Sequence, residues 1–344
     1  MVQYCSALLH DKSLNLVEKR FLSLKKNDGE HMPKQKIEPI DKIIKIRSKL
    51  QDKFAKDKTN INTPTIYHYT SPEGVLGILT NHKLWLSEIT YMNDESEIIY
   101  TFDLLKNTLT QNSNRISQAF KRAIEKRIKN RTQLPQTLFD YINRESIFVA
   151  CFSTQKDELS LWNYYTKTGN MAGYNIGFDV NKLVKKVQSK LKVMHHFTYG
   201  RTICDKWKQE EYLKEAIRKY NELYQNIKRK DKENVINSFW GLIHIYSLFF
   251  KKEAFKNENE YRFVITEYTD VLQKNSKAFQ INHRIQNGLI IPYIELDFDN
   301  DSVSEITISP IIKQNHYKAG IESLLHQKGY NQTKVGISEI PLRF

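Results

Sequence analysis

The stretch from Phe239 to Phe250 is the longest apolar run of the chain, and it constrains the fold more than any other feature. Apolar side chains lie nearly all round this segment, which predicts a helix buried on every side over about residues 233–250. The run has 12 residues and contains His244, whereas a helix that spans a bilayer needs about 20 apolar residues. A chain of 344 residues is long enough to bury such a helix. We therefore expect a globular protein with no membrane partner.

Composition excludes several other classes of protein. The 12 glycines and 8 prolines are too few for a collagenous or low-complexity chain, and 12% aromatic residues are too many for a disordered one. The three cysteines, Cys5, Cys151 and Cys204, are unclustered, which argues against a disulfide framework and against a cysteine-based zinc site. The first residues lack the sustained apolar stretch of a secretory signal. We expect a cytoplasmic protein.

Strand-like and helix-like segments follow one another in mixed order. The clearest strand is Ile147–Phe152, a continuous apolar run that is typical of a central strand. Ser71 is a good N-cap and Pro72 suits the first helical position, so a helix is expected to begin there. Hairpin-like strands interrupted by helices favour an α+β fold over a doubly wound sheet. Further strands are expected at residues 65–69, 83–87, 174–178, 192–198, 260–268, 278–284, 289–297, 305–308 and 335–342.

The sequence divides into two units. Residues 1–63 are expected to be a polar N-terminal arm that ends in an amphipathic helix. Residues 64–344 are expected to form a single domain of catalytic type. A basic, mostly helical insertion at about 181–255 elaborates this domain.

Basic residues are concentrated in three segments of the chain. The net charge is +14, and residues 182–232 alone contribute +9 from 15 basic and 6 acidic side chains. Residues 1–65 and 115–131 contribute +6 each. Solvated helix faces would explain this pattern, and so would a surface that attracts nucleic acid or another polyanion. The candidate nucleic-acid contacts are Lys228, Arg229 and Lys230.

Standard catalytic motifs such as Gly-x-Gly-x-x-Gly, His-Glu-x-x-His and Gly-x-Ser-x-Gly do not occur in the sequence. Polar residues instead cluster at predicted strand ends and helix starts. Each cluster has an ordinary structural explanation: His68 as a core histidine, Asn93 and Asp94 as a helix cap, and Glu260 with Arg262 as an ion pair on one strand face. The clusters are Tyr67-His68-Tyr69-Thr70-Ser71, Asn93-Asp94-Glu95-Ser96-Glu97, Cys151-Phe152-Ser153, Ser160-Leu161-Trp162-Asn163-Tyr164-Tyr165 and Glu258-Asn259-Glu260-Tyr261-Arg262-Phe263.

Taken in order, these clusters resemble a bacterial family called domain of unknown function 2971. The series is Tyr-His-Tyr-Thr-Ser, Asn-Asp-x-x-Glu, Cys-Phe-Ser, Leu-Trp-x-x-Tyr, Glu-x-Glu-Tyr-Arg-Phe and a closing Ile-Pro-Leu-Arg. The resemblance runs from about Thr65 to Arg343. The family name implies no activity.

The segment from Tyr67 to Leu84 is also similar to the opening of the ADP-ribosyltransferase-like fold, which DarT-type enzymes and poly-ADP-ribose polymerases share. In that opening a strand ends in His-x-Thr/Ser, a helix ending in Ile-Leu follows, and the next strand begins with a small residue and Leu. Here Asn81-His82-Lys83 stands where the usual glycine follows Ile-Leu. The resemblance implies a mixed, mainly antiparallel sheet core with helical insertions, NAD as a substrate and no metal.

The same resemblance assigns roles by position. It implies that His68 and its neighbours bind the nicotinamide half of NAD, that Ser153 supports the ring, and that Glu260 holds the ribose 2′-hydroxyl. Glu258 is the alternative to Glu260, so the implied catalytic residues are Glu260, His68 and Glu258. The implied NAD-binding residues are His68, Tyr69, Thr70, Ser71, Asn93, Asp94, Ser153, Trp162, Tyr165 and Arg262.

The implied function is transfer of ADP-ribose from NAD to a macromolecule, either nucleic acid or protein, or hydrolysis of NAD. Analogy with other bacterial members of the fold implies a role as a toxin or antiphage effector. A metal-dependent nuclease is the alternative from another enzyme class, with oxygen ligands from Asp94, Glu97, Glu258 and Glu260. A nucleic-acid-binding or protein-binding module with a vestigial pocket is the non-enzymatic alternative.

Overall fold

A computed structural model describes residues 39–60, 64–92, 97–132, 145–165, 173–191, 195–268, 279–286, 288–310 and 315–341. These residues form a mixed α+β protein built on one large sheet, as the mixed order of elements predicted. The helices are α1 (Pro39–Thr59), α2 (Pro72–Asn81), α3 (Glu97–Gln111), α4 (Gln118–Thr132), α5 (Leu159–Tyr165), α6 (Val180–Lys190), α7 (Lys206–Asn226), α8 (Lys232–Ser247) and α9 (Asn315–Gln327).

The sheet contains ten strands and is mainly antiparallel. The strands are β1 (Thr65–Thr70), β2 (Lys83–Glu88), β3 (Glu145–Ser153), β4 (Tyr174–Asp179), β5 (His195–Arg201), β6 (Glu260–Tyr268), β7 (Asn282–Gln286), β8 (Leu289–Asp297), β9 (Val303–Ile308) and β10 (Lys334–Ile337). Along the main path their order is β10-β9-β4-β1-β3-β2-β8-β7, and β6 joins β3 to β5. Among the described strands, β9 and β10 are the one parallel pair. A doubly wound sheet is thereby excluded.

Strand β3 is the centre of the sheet, and the sheet divides along one of its edges. On one side β3 pairs with β6 over its whole length, from Glu145 to Ser153. The other side is shared, because β2 pairs with it at Phe148 and Val149 whereas β1 pairs with it at Ser153. Strands β1 and β2 therefore diverge near Cys151.

Each face of the sheet has its own hydrophobic core. One core packs α1, α3, α4, α7 and α8 on the face that carries Val149 of β3 and Val264 of β6. The other core packs α2, α6 and α9 against the opposite face. Helix α8 confirms the buried helix predicted from the apolar run, since Val235, Phe239 and Ile243 are each fully buried. Among the described helices, none has the length and apolarity needed to cross a membrane.

The predicted start of α2 is confirmed. Ser71 has extended backbone angles, its hydroxyl accepts a hydrogen bond from the Gly74 amide, and Pro72 occupies the first turn. This cap supplies an acceptor for an amide that has no partner inside the helix. It fixes the point where β1 ends, immediately after Thr70.

Helix α1 precedes the sheet in the chain and packs into the core that it shares with α3, α4, α7 and α8. Its buried face carries Ile43, Ile44, Leu50 and Phe54, and the Phe54 ring lies 5.1 Å from the ring of Tyr212 on α7. The residues preceding α1 lie outside the described part of the chain. The basic segment 181–255 is mostly helical, and it also contributes β5, which pairs with β6 in the sheet.

Candidate functional site

A cleft lies where β1, β3 and β6 come together. Tyr67 pairs with Ser153, and Ser153 pairs with Glu260, so these three residues stand in one row across three adjacent strands. Directly paired residues of antiparallel strands point to the same face of a sheet. The cleft above them is small, with a cavity volume of about 20 Å³, little more than the space for one water molecule. Its lining is Tyr67, Tyr69, Cys151, Phe152, Ser153, Leu161, Glu258 and Glu260.

The floor of the cleft is a buried cluster of charged side chains. Glu260 is 5% exposed, and Arg262 donates to it twice, from Nε to Oε1 at 2.7 Å and from Nη2 to Oε2 at 2.9 Å. Lys251 donates from Nζ to Oε2 of Glu260 at 2.8 Å. Burial alone would raise the pKa of the Glu260 carboxyl, but the charges of Arg262 and Lys251 outweigh it and lower that pKa to about 2. Both oxygens of Glu260 are therefore occupied.

Glu258 is the second carboxylate of the cluster, and it is the more accessible one. Its side chain is 26% exposed, and its Oε2 accepts a hydrogen bond from Lys251 at 2.7 Å. Its Oε1 has no hydrogen-bond partner among the described residues. Asn259 adopts the left-handed backbone conformation, with φ of 45°, which turns the chain between the two glutamates. Burial raises the pKa of the Glu258 carboxyl, although Lys251 opposes this shift.

Ser153 and Tyr69 build the walls of the cleft through hydrogen bonds to the backbone. The Ser153 hydroxyl donates to the Glu258 carbonyl at 2.8 Å and accepts from the Gln155 amide at 3.0 Å. The Tyr69 hydroxyl donates to the Gln155 carbonyl at 2.9 Å and accepts from the Glu158 amide at 3.1 Å. The serine thus holds the end of β3 against the turn that carries Glu258.

Trp162, one of the implied NAD-binding residues, is buried behind the cleft and does not line it. It is 1% exposed, its ring packs 4.7 Å from the Tyr69 ring, and its Nε1 donates to Asp157 at 2.6 Å. Burial of this large ring against Tyr69 is more favourable than its exposure to solvent. The Tyr165 side chain lies outside the described part of the structure.

His68 lies beside the cleft and is not part of its lining. Successive residues of a strand point to opposite faces, so His68 points away from the face that carries Tyr67 and Glu260. Its ring packs 5.7 Å from the Phe152 ring, and its Nδ1 lies 3.1 Å from the Cys151 carbonyl oxygen, where β1 and β2 diverge. Burial lowers the pKa of His68. His68 and Glu260, both implied catalytic residues, therefore do not line the same cleft; His68 supports the cleft from behind.

The remaining predicted NAD-binding residues divide into three groups. Thr70 and Ser71 lie at the junction of β1 and α2, where Ser71 serves as the N-cap described above. Asn93 and Asp94 lie outside the described residues, as does the Glu97 side chain. Arg262 is in the cluster, where it binds Glu260 and donates to the Leu248 carbonyl at 3.0 Å.

No group of side chains able to hold a metal ion occurs in the described ranges. Cys151 does not offer a nucleophile either, because burial and the neighbouring Glu260 carboxylate raise the pKa of its thiol well above the ordinary range. Lys251 was not found by sequence reasoning. The available signal was the pair Lys251-Lys252 directly after the apolar run that ends at Phe250.

The basic turn formed by Lys228, Arg229 and Lys230 is exposed and connects α7 to α8. The opposite end of this helical pair lies next to the charged cluster, because Gln209 near the start of α7 donates to the Lys251 carbonyl at 2.8 Å. Helix α7 has 21 residues, which at 1.5 Å per residue separates its two ends by about 30 Å. The basic turn is thus remote from the cleft.

The fold and the cleft define an α+β protein with two acidic and two basic side chains clustered at one end of its central strands. Residues 161–263 match the family model described as "Protein of unknown function (DUF2971)", which supports the family resemblance carried by the series of motifs. The matched segment contains Lys251, Glu258, Glu260 and Arg262. Comparisons with curated proteins and with solved structures gave no significant match.

Proposed function

We propose that this protein is an NAD-consuming enzyme of the ADP-ribosyltransferase-like type, and that the nicotinamide-ribose end of NAD binds at the mouth of the cleft, beside Glu258. The observation that carries the proposal is the row of Tyr67, Ser153 and Glu260 on β1, β3 and β6, with Glu258 beside it. The ADP-ribosyltransferase-like resemblance implies an opening strand, a later strand with a serine, and a still later strand with a glutamate. Strands β1, β3 and β6 follow the same order.

The chemistry of NAD cleavage suits a carboxylate with one free oxygen. As the bond between ribose C1′ and the nicotinamide nitrogen breaks, its electron pair leaves with nicotinamide and positive charge develops on the ribose. A carboxylate beside the sugar stabilises this charge more in the transition state than in the ground state. We assign this role to Glu258, whose Oε1 faces no partner among the described residues.

The raised pKa of Glu258 also suits proton transfer. An acceptor hydroxyl, amine or water adds to C1′ and loses its proton, and a carboxylate with a raised pKa accepts that proton more readily than an ordinary one. Tyr67 and Tyr69 line the cleft with largely buried rings and give it an apolar wall beside the carboxylates.

Glu260, Arg262 and Lys251 act in this proposal as a rigid support. Lys251 bonds both glutamates, so it holds the Glu258 carboxylate at a fixed distance from the buried pair. His68 is a positioning residue, because its contact with the Cys151 carbonyl holds the edge of β3 where β1 and β2 separate.

The acceptor is a macromolecule, nucleic acid or protein, or it is water. The net charge of +14 favours nucleic acid as a partner over a neutral surface. The unclustered cysteines fit a cytoplasmic location. A role as a toxin or antiphage effector rests on analogy with bacterial enzymes of the same type.

Nicotinamide release tests the proposal. Purified protein is incubated with NAD, and nicotinamide is quantified by liquid chromatography. We expect release by the wild-type protein and a loss of about 10²–10³-fold in Glu258→Gln, the usual effect of removing one transition-state electrostatic contact. Glu253→Gln is the matched control, because Glu253 is an exposed glutamate in the same short helical segment. No release by the wild type, or equal rates in the two variants, would overturn the assignment.

A parallel incubation with DNA or RNA and Mg²⁺ distinguishes the alternatives. Strand cleavage without nicotinamide release would favour the nuclease. The described part of the site offers that alternative no support, because the oxygens of Glu260 already bind Arg262 and Lys251.

A further inference from the structure

An aromatic and cationic group lies on one face of β2, β8 and β7, and its members are not part of the cleft lining. Trp85 is 46% exposed, and its ring lies 4.5 Å from the Tyr293 ring. The guanidinium carbon of Arg284 lies 5.8 Å from the centre of the Trp85 ring. Strand register places these side chains on one face. Trp85 lies two residues from Ser87 on β2, and Ser87 pairs with Tyr293 on β8. Ile291 lies two residues from Tyr293 and pairs with Arg284 on β7. Half of a large indole ring is thus presented to solvent beside a cation.

Arg284 has no acidic partner in the described structure. Its Nη2 donates to the Ser87 hydroxyl at 2.8 Å, whereas its Nε is buried and has no hydrogen-bond partner there. The acidic residue that pairs with Trp85 across the strands is Glu295, and Lys83 already neutralises it. A half-buried guanidinium without a counter-ion favours an incoming anion.

We propose that this face binds single-stranded nucleic acid, with one base stacked on Trp85 and an adjacent phosphate held by Arg284. Stacking on exposed aromatic rings is the usual way in which proteins hold unpaired bases, and it needs an open surface. A free nucleotide instead needs a concave pocket that encloses most of its surface. The Trp85 ring is 46% exposed on the sheet face, so it fits an unpaired base of a strand better than a free nucleotide. The inference goes beyond NAD turnover and does not depend on it.

Fluorescence anisotropy tests this site with a fluorescein-labelled 12-nucleotide single strand of mixed sequence, as DNA and as RNA. Loss of one stacked base costs about 1–3 kcal/mol, so Trp85→Ala should weaken binding by about fivefold or more. Trp207→Ala is the matched control, because Trp207 is 70% exposed and lies on α7 rather than on β2, β7 or β8. Its affinity should equal that of the wild type.

Two further variants keep the test decisive. Trp85→Leu retains an apolar side chain at the same position, and it should weaken binding as Trp85→Ala does if stacking is the cause. Arg284→Gln should weaken binding and reduce the dependence of log K on log salt by about 0.7, the value for one phosphate contact on a single strand. Circular dichroism checks that each variant is folded.

Three results would overturn the inference. The first is no binding of either strand by the wild-type protein. The second is equal weakening in the Trp85 and Trp207 variants. The third is displacement of the labelled strand by AMP at an equal concentration, which would identify a free nucleotide as the ligand.

Discussion

Glu260 and Arg262 lie two residues apart on β6 and form a buried ion pair with two hydrogen bonds, of 2.7 Å and 2.9 Å. The spacing produces the pair directly, because residues i and i+2 of a strand point to the same face. Lys251 then joins Glu260 to Glu258, so that two acids and two cations balance. The glutamate that best matches the expected catalytic position is therefore neutralised, and its neighbour Glu258 is the one that a ligand can reach.

Replacing Glu260 should lower the free energy of unfolding of the protein. Glu260→Gln leaves Arg262 and Lys251 buried without their shared carboxylate, and breaking a buried pair in this way typically costs about 3–5 kcal/mol. The free energy of unfolding, measured with urea, should fall by that order.

Glu253→Gln is the control for this prediction, since an exposed substitution of this kind changes stability by less than about 0.5 kcal/mol. A Glu260→Gln protein as stable as the control would mean that the ion cluster does not hold the cleft together.

Stability should depend on pH through Lys58. This lysine is 3% exposed, its Nζ donates to the Thr198 hydroxyl at 2.9 Å and to the Tyr199 carbonyl, and no carboxylate in the described chain pairs with it. Burial lowers the pKa of Lys58 from 10.5 to about 7. Between these two values the unfolded chain binds more protons than the folded one, so the free energy of unfolding rises with pH, by about 1.4 kcal/mol per unit for this group.

Urea unfolding of wild type and Lys58→Met at pH 7, 8, 9 and 10 measures the effect as the difference between the two proteins. The wild type should gain stability relative to the variant as pH rises across this range. Lys56→Met, an exposed substitution on the same helix, controls for loss of a lysine from α1. A difference that stays constant with pH would contradict a neutral, buried Lys58.

Gly200 should be intolerant of any side chain. Its φ of 146° lies in a region that other residues rarely adopt, and a Cβ there would lie 2.6 Å from Cγ of Lys58 and 2.9 Å from its carbonyl oxygen. We expect Gly200→Ala to destabilise the protein by more than about 1 kcal/mol.

At Gly320 the same substitution to alanine should stabilise the protein instead. Gly320 is exposed within α9 and a Cβ there meets nothing within 4 Å, so the variant should gain about 0.8–1.0 kcal/mol from helix propensity. Thermal unfolding of both variants checks the pair. A Gly200→Ala protein as stable as Gly320→Ala would show that β5 does not approach α1 as closely as described.

Local patterns predicted the elements of the fold well. The apolar run at 147–152 lies within β3, the Ser71-Pro72 signal marks the start of α2, and the run ending at Phe250 marks α8. Each of these signals depends on residues close together in the chain. The strand expected at 278–284 lies instead at Asn282–Gln286, because the hairpin at Gly288, with φ of 80°, sets the pairing of Gln286 with Leu289.

The candidate site was harder to predict, because it depends on strand register and on contacts between distant residues. Periodicity shows that Tyr67 and His68 point to opposite faces, but only the pairing of Tyr67 with Ser153 shows that the tyrosine faces Glu260. Lys251 meets Glu258 and Glu260 after a turn, and no motif marks that meeting. Likewise, Trp162 is buried by contact with Tyr69, which helical spacing alone does not predict.

A crystal structure with a non-cleavable NAD analogue tests the central claim most directly. The account predicts density for the nicotinamide ring at the mouth of the cleft, with the ribose 2′-hydroxyl within hydrogen-bond distance of Glu258. The Glu260–Arg262 pair should stay unchanged, since it serves as the support. Density for the nicotinamide-ribose elsewhere on the molecule, with Glu258 making no contact to the ligand, would contradict the account.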